Sequence, residues 1–163
     1  MSLSPLTSPT GDKNFRDSET CYFEKNNDFH KYIDQKISSK IGLSDNFSES
    51  SQIQHYRVGN QFKPHHDFFH PHDFENYAGK NSHYKGQRTW TFTVYLNDVV
   101  EGGETEFVEM GLKIKPKRGM AVVWNNLLEN GDTNQRTLHC GKPVIRGEKY
   151  IITKWFRDRQ QKI

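Results

Sequence analysis

From Gln52 onward the sequence is cut into short runs of β-branched and aromatic residues separated by turn signals, and this punctuation constrains the fold more than any other feature. Ile53, His55 and Arg57 alternate with Gln54, Tyr56 and Val58. Thr89–Leu96 (TWTFTVYL) and Gly119–Trp124 (GMAVVW) are dense in strand formers. Glu104–Phe107, Leu112–Lys115, Arg136–Cys140, Lys142–Ile145 and Lys149–Phe156 read as shorter strands. Gly102-Gly103, Pro116–Gly119, Gly131-Asp132 and Arg146-Gly147 supply the turns between them. One helical pattern precedes the strands: Phe29, Tyr32, Ile33, Lys36, Ile37 and Ile41 recur at spacings of three and four, with Asn27 or Asp28 as cap and Gly42 as stop. One helix ahead of a series of short strands predicts a mostly-β domain, a sandwich or barrel of two facing sheets with a flanking helix.

The chain has 163 residues, enough for one hydrophobic core and too few for a second domain of ordinary size. Met1–Lys13, rich in Ser, Thr and Pro, is expected to be a flexible segment without a role in the fold, and residues 14–163 to form the single domain. Aromatics at 13% exclude a disordered chain. The net charge of +3 is concentrated at one end: Lys142, Arg146, Lys149, Lys154, Arg157, Arg159 and Lys162 face only Glu148 and Asp158 there. Such a run reads as a solvated strand and tail, or as a surface for an acidic ligand or a peptide, ahead of a nucleic-acid surface. Cys21 and Cys140 are far apart and lack metal-type spacing, which points to a reducing compartment. The sequence shows no signal-like segment and no apolar run near 18 residues, so the expectation is a cytoplasmic protein that does not engage a membrane.

His70–Gly86 (HPHDFENYAGKNSHYKG) has no clean period, and a long polar loop in a compact domain is commonly a lid or binding loop. It belongs to a histidine-rich stretch from His55 to His83. The sharper feature inside that stretch is His65-His66-Asp67. On an extended segment residues i and i+2 share a face, so His65 and Asp67 can hold one ion while His66 points away. His139, in another extended segment, can complete a set of two imidazoles and one carboxylate. That set leaves coordination positions open, as in non-haem Fe(II) oxygenases, whereas structural zinc takes a closed tetrahedral shell. Lys149 follows His139 across a glycine-flanked hairpin and can reach the same cavity as a fixed cation for a dicarboxylate. Tyr56, nine residues before His65, can donate its phenol to that carboxylate.

Taken together, Tyr56-Arg-Val-Gly59, Phe62-Lys-Pro-His65-His-Asp67, Gly86-Gln-Arg88, Tyr95-Leu-Asn97, Gly102-Gly-Glu-Thr105, Trp124-Asn-Asn126, Leu138-His139, Pro143-Val144, Gly147-Glu-Lys149 and Lys154-Trp155 occur in the order found in the prolyl 4-hydroxylases. The chain resembles a minimal catalytic domain of this family of Fe(II)- and 2-oxoglutarate-dependent dioxygenases. The resemblance spans Gln54–Arg157. It implies a double-stranded β-helix with the iron at its open end, O2 and 2-oxoglutarate as co-substrates, and ascorbate as a further cofactor. It matches His65, Asp67 and His139 to the iron ligands and Lys149 to the partner of the distal 2-oxoglutarate carboxylate. Tyr56 and Thr105 match the lining of that pocket, and Arg88 and Trp155 match positions facing the peptide. The implied reaction is hydroxylation of a prolyl residue at C4 in a peptide or protein. The alternatives are a same-fold oxygenase acting on another residue, a free amino acid or a nucleobase, and a binding module without turnover. Two departures bear on the substrate: a longer, histidine-rich loop between Asp67 and Arg88, and Arg157 where some relatives carry another side chain.

Simpler roles compete for several of these positions. Trp124 reads first as a core aromatic, Trp155 equally as core or contact, Gly102-Gly103 as a hairpin turn and Asn125-Asn126 as a chain reversal. His66, His70, His72 and His83 read as solvated loop residues.

Overall fold

The computed structural model of the protein describes residues 2–3, 16–22, 27–79 and 82–161. In chain order its elements are β1 (Ser2–Leu3), β2 (Glu19–Tyr22), α1 (Asp28–Ile41), β3 (Gln52–Tyr56), β4 (Phe62–His65), α2 (Pro71–Tyr77), β5 (Arg88–Tyr95), β6 (Glu101–Gly102), β7 (Thr105–Phe107), β8 (Leu112–Ile114), β9 (Ala121–Asn125), β10 (His139–Gly141), β11 (Val144–Arg146) and β12 (Lys149–Arg157). Single 3₁₀ turns stand at Asp45–Phe47 and Gln135–Thr137.

The strands form a six-stranded sheet ordered β1-β2-β3-β12-β5-β9, a four-stranded sheet ordered β4-β10-β7-β8, and the pair β11-β6. All of the described pairings between strands are antiparallel. The two larger sheets face each other around one cavity, as a double-stranded β-helix requires. β12 lies within the large sheet and is buried along nearly its whole length, so even its charged residues Lys149, Lys154 and Arg157 are out of water. Its inward residue Ile151 joins Tyr56, Tyr95, Val99 and Val144 between the sheets. Its outward residues Ile152 and Phe156 pack with Ile37 and Phe92 beneath α1. Each such side chain contributes about 1.5–3 kcal/mol by leaving water.

Helix α1 starts where the Asn27 side chain accepts the His30 N–H at 3.1 Å, and stops at Gly42, whose φ of 71° suits glycine. Its buried face is narrower than the sequence pattern suggests. Ile33, Ile37 and Ile41 pack on the sheet, while Phe29 and Tyr32 are 58% and 53% exposed. Asp34 and Ser38 take their place on the inner face because a buried cation, Lys154, lies beneath them.

The predicted strand Arg136–Cys140 splits into the 3₁₀ turn and β10, and the Gly102-Gly103 turn is partly strand, since β6 pairs with β11. β2 carries no alternation that would announce it; pairing with β3 makes it a strand. The long segment 70–86, expected as a loop, contains helix α2. Pro71 opens it, Asp73 sits in its first turn, and seven residues are too few to leave a readable period. Both flanks are tied down: Arg157 Nη1 donates to the carbonyls of Tyr77 and Gly86, and Gln87 exchanges hydrogen bonds with Phe69. Ser2–Leu3, within the segment expected to have no role, pair with Glu19 and Thr20; the remainder of Met1–Lys13 lies outside the described residues.

Candidate active site

β10 lies between β4 and β7, so His139 pairs directly opposite His65. Asp67 is not on the strand; it follows β4 in a bend and turns its carboxylate back toward both rings. His65 Nε2 lies 3.9 Å from Asp67 Oδ1, and His139 Nε2 lies 3.8 Å from Asp67 Oδ2. One donor atom from each of the three residues falls within 4.8 Å of the others. Both rings are fixed from behind: His65 Nδ1 meets the Lys63 carbonyl at 2.7 Å, and His139 Nδ1 meets the Thr137 carbonyl at 2.8 Å. With Nδ1 donating, each Nε2 presents a lone pair to the shared space. Burial, with His139 alongside, holds the His65 imidazole down at about 3, so the ring stays neutral and ready to ligate. Burial works to raise the Asp67 carboxyl, but His139, His65 and Arg88, together with the Thr91 hydroxyl, keep it below the usual range. A carboxylate and two imidazoles on one side of a cavity fit a divalent ion with open positions.

A further support was not legible from motif reading. Thr91 Oγ1 donates to Asp67 Oδ2 at 2.7 Å, and Asn126 Nδ2 donates to Thr91 Oγ1 at 2.9 Å. The Asn125-Asn126 pair therefore does more than reverse the chain. The signal available in the sequence was the inward phase of Thr91 on β5, shared with Thr93 and Tyr95.

Lys149 opens β12 opposite Tyr56 and is 2% exposed. Its Nζ donates to the Gly103 carbonyl at 3.0 Å and sits 4.4 Å over the Tyr56 ring. Burial lowers the ammonium to about 8, with Glu104 and Cys140 opposing. The glycines around it make space. A Cβ on Gly141 would stand 3.4 Å from Nζ, and one on Gly102, at φ 76°, would strike the Pro143 carbonyl at 2.4 Å. The Tyr56 hydroxyl donates to Gln54 Oε1 at 3.0 Å, so its ring, more than its phenol, faces the ammonium. Thr105 lines the same cavity and accepts the Tyr95 hydroxyl at 2.6 Å.

His65, Asp67, His139, Lys149, Tyr56, Thr105 and both Trp124 and Trp155 thus line a single narrow cavity of about 50 Å³ between the sheets. Trp124 stands edge-on to His139 at 4.8 Å, which makes it a wall of the site as well as a core residue. The cavity opens into a groove of about 510 Å³ that shares Phe62, His65, Asp67 and Trp155 with it. Phe68, Phe69, Tyr77, Tyr84 and Pro64 give the groove apolar walls, and Arg88 lies along it with its guanidinium 4.0 Å over Trp155. Glu49, which no motif flagged, is buried there and pairs with both Arg88 and Arg157. Lys154 and Arg157, the other cations of β12, are occupied by carboxylates of the protein. His72 and His83 are exposed; His66 Nε2 meets the Gln135 carbonyl at 3.2 Å.

The family model of the 2OG-Fe(II) oxygenase superfamily matches residues 51–157, which contain every residue of this cavity. The chain belongs to that superfamily. Fe(II) and 2-oxoglutarate come with the membership as the family's metal and co-substrate. Prolyl 4-hydroxylase subunit alpha-1 of Homo sapiens is 31% identical over 159 residues, covering 97% of this chain and 29% of that protein. Prolyl 4-hydroxylase 13 of Arabidopsis thaliana is 34% identical over 142 residues, covering 78% of this chain and 49% of its own length. This chain therefore spans less than a third of the length of the human relative. Among solved structures, the viral collagen prolyl hydroxylase vCPH of Paramecium Bursaria Chlorella virus-1, in its 2OG complex, superposes with a TM-score of 0.70 at 28% identity, covering 88% of this chain and 80% of that one. A prolyl hydroxylase from Trichoplax adhaerens shares the fold, with a TM-score of 0.67 at 19% identity. No described helix is long and apolar enough to cross a membrane.

Proposed function

We propose that this chain is the catalytic domain of a prolyl 4-hydroxylase, adding oxygen at C4 of a prolyl residue in a peptide or protein at the expense of 2-oxoglutarate. The observation that carries the proposal is the continuity of the narrow His65/Asp67/His139 cavity with an open, aromatic-walled groove. The cavity suits a small dicarboxylate, and the groove suits an extended chain. Proline-rich segments are preorganised and dock on aromatic-lined grooves of this kind.

In this reading His65, Asp67 and His139 hold Fe(II), with Thr91 and Asn126 fixing the carboxylate. The bound iron would supply the activation of O2. Lys149 pairs its ammonium with the distal carboxylate of 2-oxoglutarate, and Thr105 and the Tyr56 ring close the pocket around it. Trp124 and Trp155 exclude water from the space beside the metal ligands. Arg88 and Trp155 border the peptide where the groove meets the cavity.

The test is turnover of Pro-containing peptides with Fe(II), 2-oxoglutarate and ascorbate, read by mass spectrometry. The expected result is a gain of one oxygen on proline, absent when C4 is blocked. Release of succinate without any peptide oxidation across a broad panel, alongside oxidation of a free amino acid or nucleobase, would replace this reading with the same chemistry on another substrate.

A further inference from the structure

The large sheet ends on β9, and among the described residues only β5 pairs with that strand. The ladder sets Val122 opposite Thr93 and Trp124 opposite Thr91. At its two ends the Tyr95 N–H donates to the Met120 carbonyl at 3.0 Å and the Asn126 N–H to the Thr89 carbonyl at 2.7 Å. Hydrogen-bonded positions alternate along an antiparallel strand, so the even-numbered residues of β9 bond to β5 and the backbone groups of Ala121, Val123 and Asn125 face outward. The Asn125 carbonyl is already covered by Asn134 Nδ2 at 3.1 Å. The outward N–H and carbonyl groups of Ala121 and Val123 have no partner strand among the described residues.

Sheet edges are ordinarily defended against pairing, and the small sheet shows how. β8, its last strand, has Lys113 within it and Lys115 just after it, both exposed. β9 has no charge, no proline and no shift of register. Its side chains on the outer face are apolar as well: Ala121 and Val123 lie opposite Val94 and Phe92. Phe92 is covered where it packs with Ile37 of α1, whereas Val123 is 41% exposed.

Charge specifies the strand that fits. The turn leading into β9 carries the exposed cations Lys115, Lys117 and Arg118. Asp98 meets this turn through the Arg118 backbone N–H, at 2.9 Å, and not through the side chains. The loop leaving β9, residues 127–133, carries the exposed anions Glu129 and Asp132 and no cation. A strand docking antiparallel should therefore be basic at its start and acidic at its end. β9 is itself such a strand.

We propose that β9 is a self-association edge, on which two copies of this chain pair β9 with β9 antiparallel about a two-fold axis at Val122 and join their large sheets into one. Ala121 of each copy exchanges backbone hydrogen bonds with Val123 of the other, and the exposed valines cover one another. The basic turn of each copy meets the acidic loop of the other. Because the contact uses the same patch on both copies, it closes as a dimer and does not grow into a filament. It is short, which places its dissociation constant at about 1–100 µM.

The experiment is sedimentation velocity on the purified chain from about 1 µM to 1 mM, a range that brackets that affinity. The expected result is a reversible monomer–dimer equilibrium that weakens with added salt. Val123→Lys sets two ammonium groups side by side at the centre of the contact and should weaken the dimer by about 10-fold or more. Reversing the basic turn, with Lys117→Glu and Arg118→Glu together, should weaken self-association by about 10-fold, and so should reversing the acidic loop with Glu129→Lys and Asp132→Lys. Mixed with each other, the two reversed proteins should form a heterodimer about as tight as the parent dimer, since each supplies the charge the other has lost. These four substitutions are on the exposed surface, so the mixing arm stands even if Val123→Lys fails to fold. A chain that stays monomeric at about 1 mM overturns the proposal, even if β9 accepts an extended peptide of another sequence. A dimer that keeps its affinity in both reversed proteins lies on another surface and overturns it too. Folded reversed proteins that do not associate on mixing overturn the antiparallel arrangement.

Discussion

Lys149 and Lys154 stand five residues apart on β12, and therefore on opposite faces of one central strand; both are almost fully buried. On the outer face, Lys154 Nζ lies 3.0 Å from Asp34 and 2.8 Å from Asp45, and donates to the Glu49 carbonyl. On the inner face, Lys149 Nζ finds one neutral carbonyl and an aromatic ring. The protein has neutralised one buried ammonium with its own carboxylates and has set no carboxylate within ion-pair distance of the other among the described residues, which is where the proposed function seats 2-oxoglutarate. The difference separates a residue that holds α1 and the 3₁₀ turn at Asp45–Phe47 to the sheet from one to which the proposed function gives a ligand. It also teaches that burial of a charge is not by itself a functional signal; what counts is whether the chain supplies the counter-charge.

The inner face can be broken outright. His139→Ala removes a donor that nothing else in the cavity replaces, so 2-oxoglutarate decarboxylation should fall to background while circular dichroism and melting stay near those of the parent. Decarboxylation near the parent rate would refute the ligand assignment. Mn(II) titration by calorimetry should show the same loss independently of turnover.

The outer face should fail differently. Lys154→Ala leaves Asp34 and Asp45 facing each other without a cation, a change that costs about 3–5 kcal/mol in buried pairs. Denaturant unfolding should show a loss of that size, and Lys149→Ala should show none of it. Equal destabilisation by the two substitutions would erase the distinction between the faces.

Lys149→Ala should instead raise the 2-oxoglutarate concentration needed for half-maximal turnover by about 10- to 100-fold, the worth of a charge-assisted contact. Lys154 and Arg157 are already committed to carboxylates and cannot substitute for it. An unchanged requirement would move the anchor elsewhere.

The finest test uses pH. In the free protein burial pushes the Lys149 ammonium down to about 8, from the 10.5 of an ordinary lysine. Between those values the unfolded chain holds a proton that the folded chain has released, so this group makes the protein more stable as pH rises, by at most about 1.4 kcal/mol per pH unit. Its contribution to 2-oxoglutarate binding runs the other way, because the ligand needs the ammonium, and affinity should weaken above pH 8. Calorimetric titrations and denaturant midpoints across pH 7.5–10 should therefore diverge. In Lys149→Ala both trends should be lost together.

The sequence by itself determined the helix 28–41 and most of the strands, and it singled out His65, Asp67, His139 and Lys149, which the fold brings to one cavity. Local propensity, capping and period-2 alternation are properties of neighbouring residues, and the His65-His66-Asp67 string is short-range too, although a bend after the strand, and not strand alternation, turns Asp67 toward His65. It could not determine which face of α1 is buried, since Asp34 displaces Phe29 and Tyr32 only because Lys154, more than a hundred residues later, lies beneath it. Helix α2 was hidden for a related reason: a seven-residue helix is set by its Pro71 start and by the tethering of its flanks through Arg157 and Gln87, not by an amphipathic period. The Thr91–Asn126 support of Asp67 and the gathering of Arg88 and Arg157 on Glu49 also belong to tertiary structure. Each joins residues from separate elements, and the charge balance of a buried cluster exists only once the chain has brought its members out of water into one place.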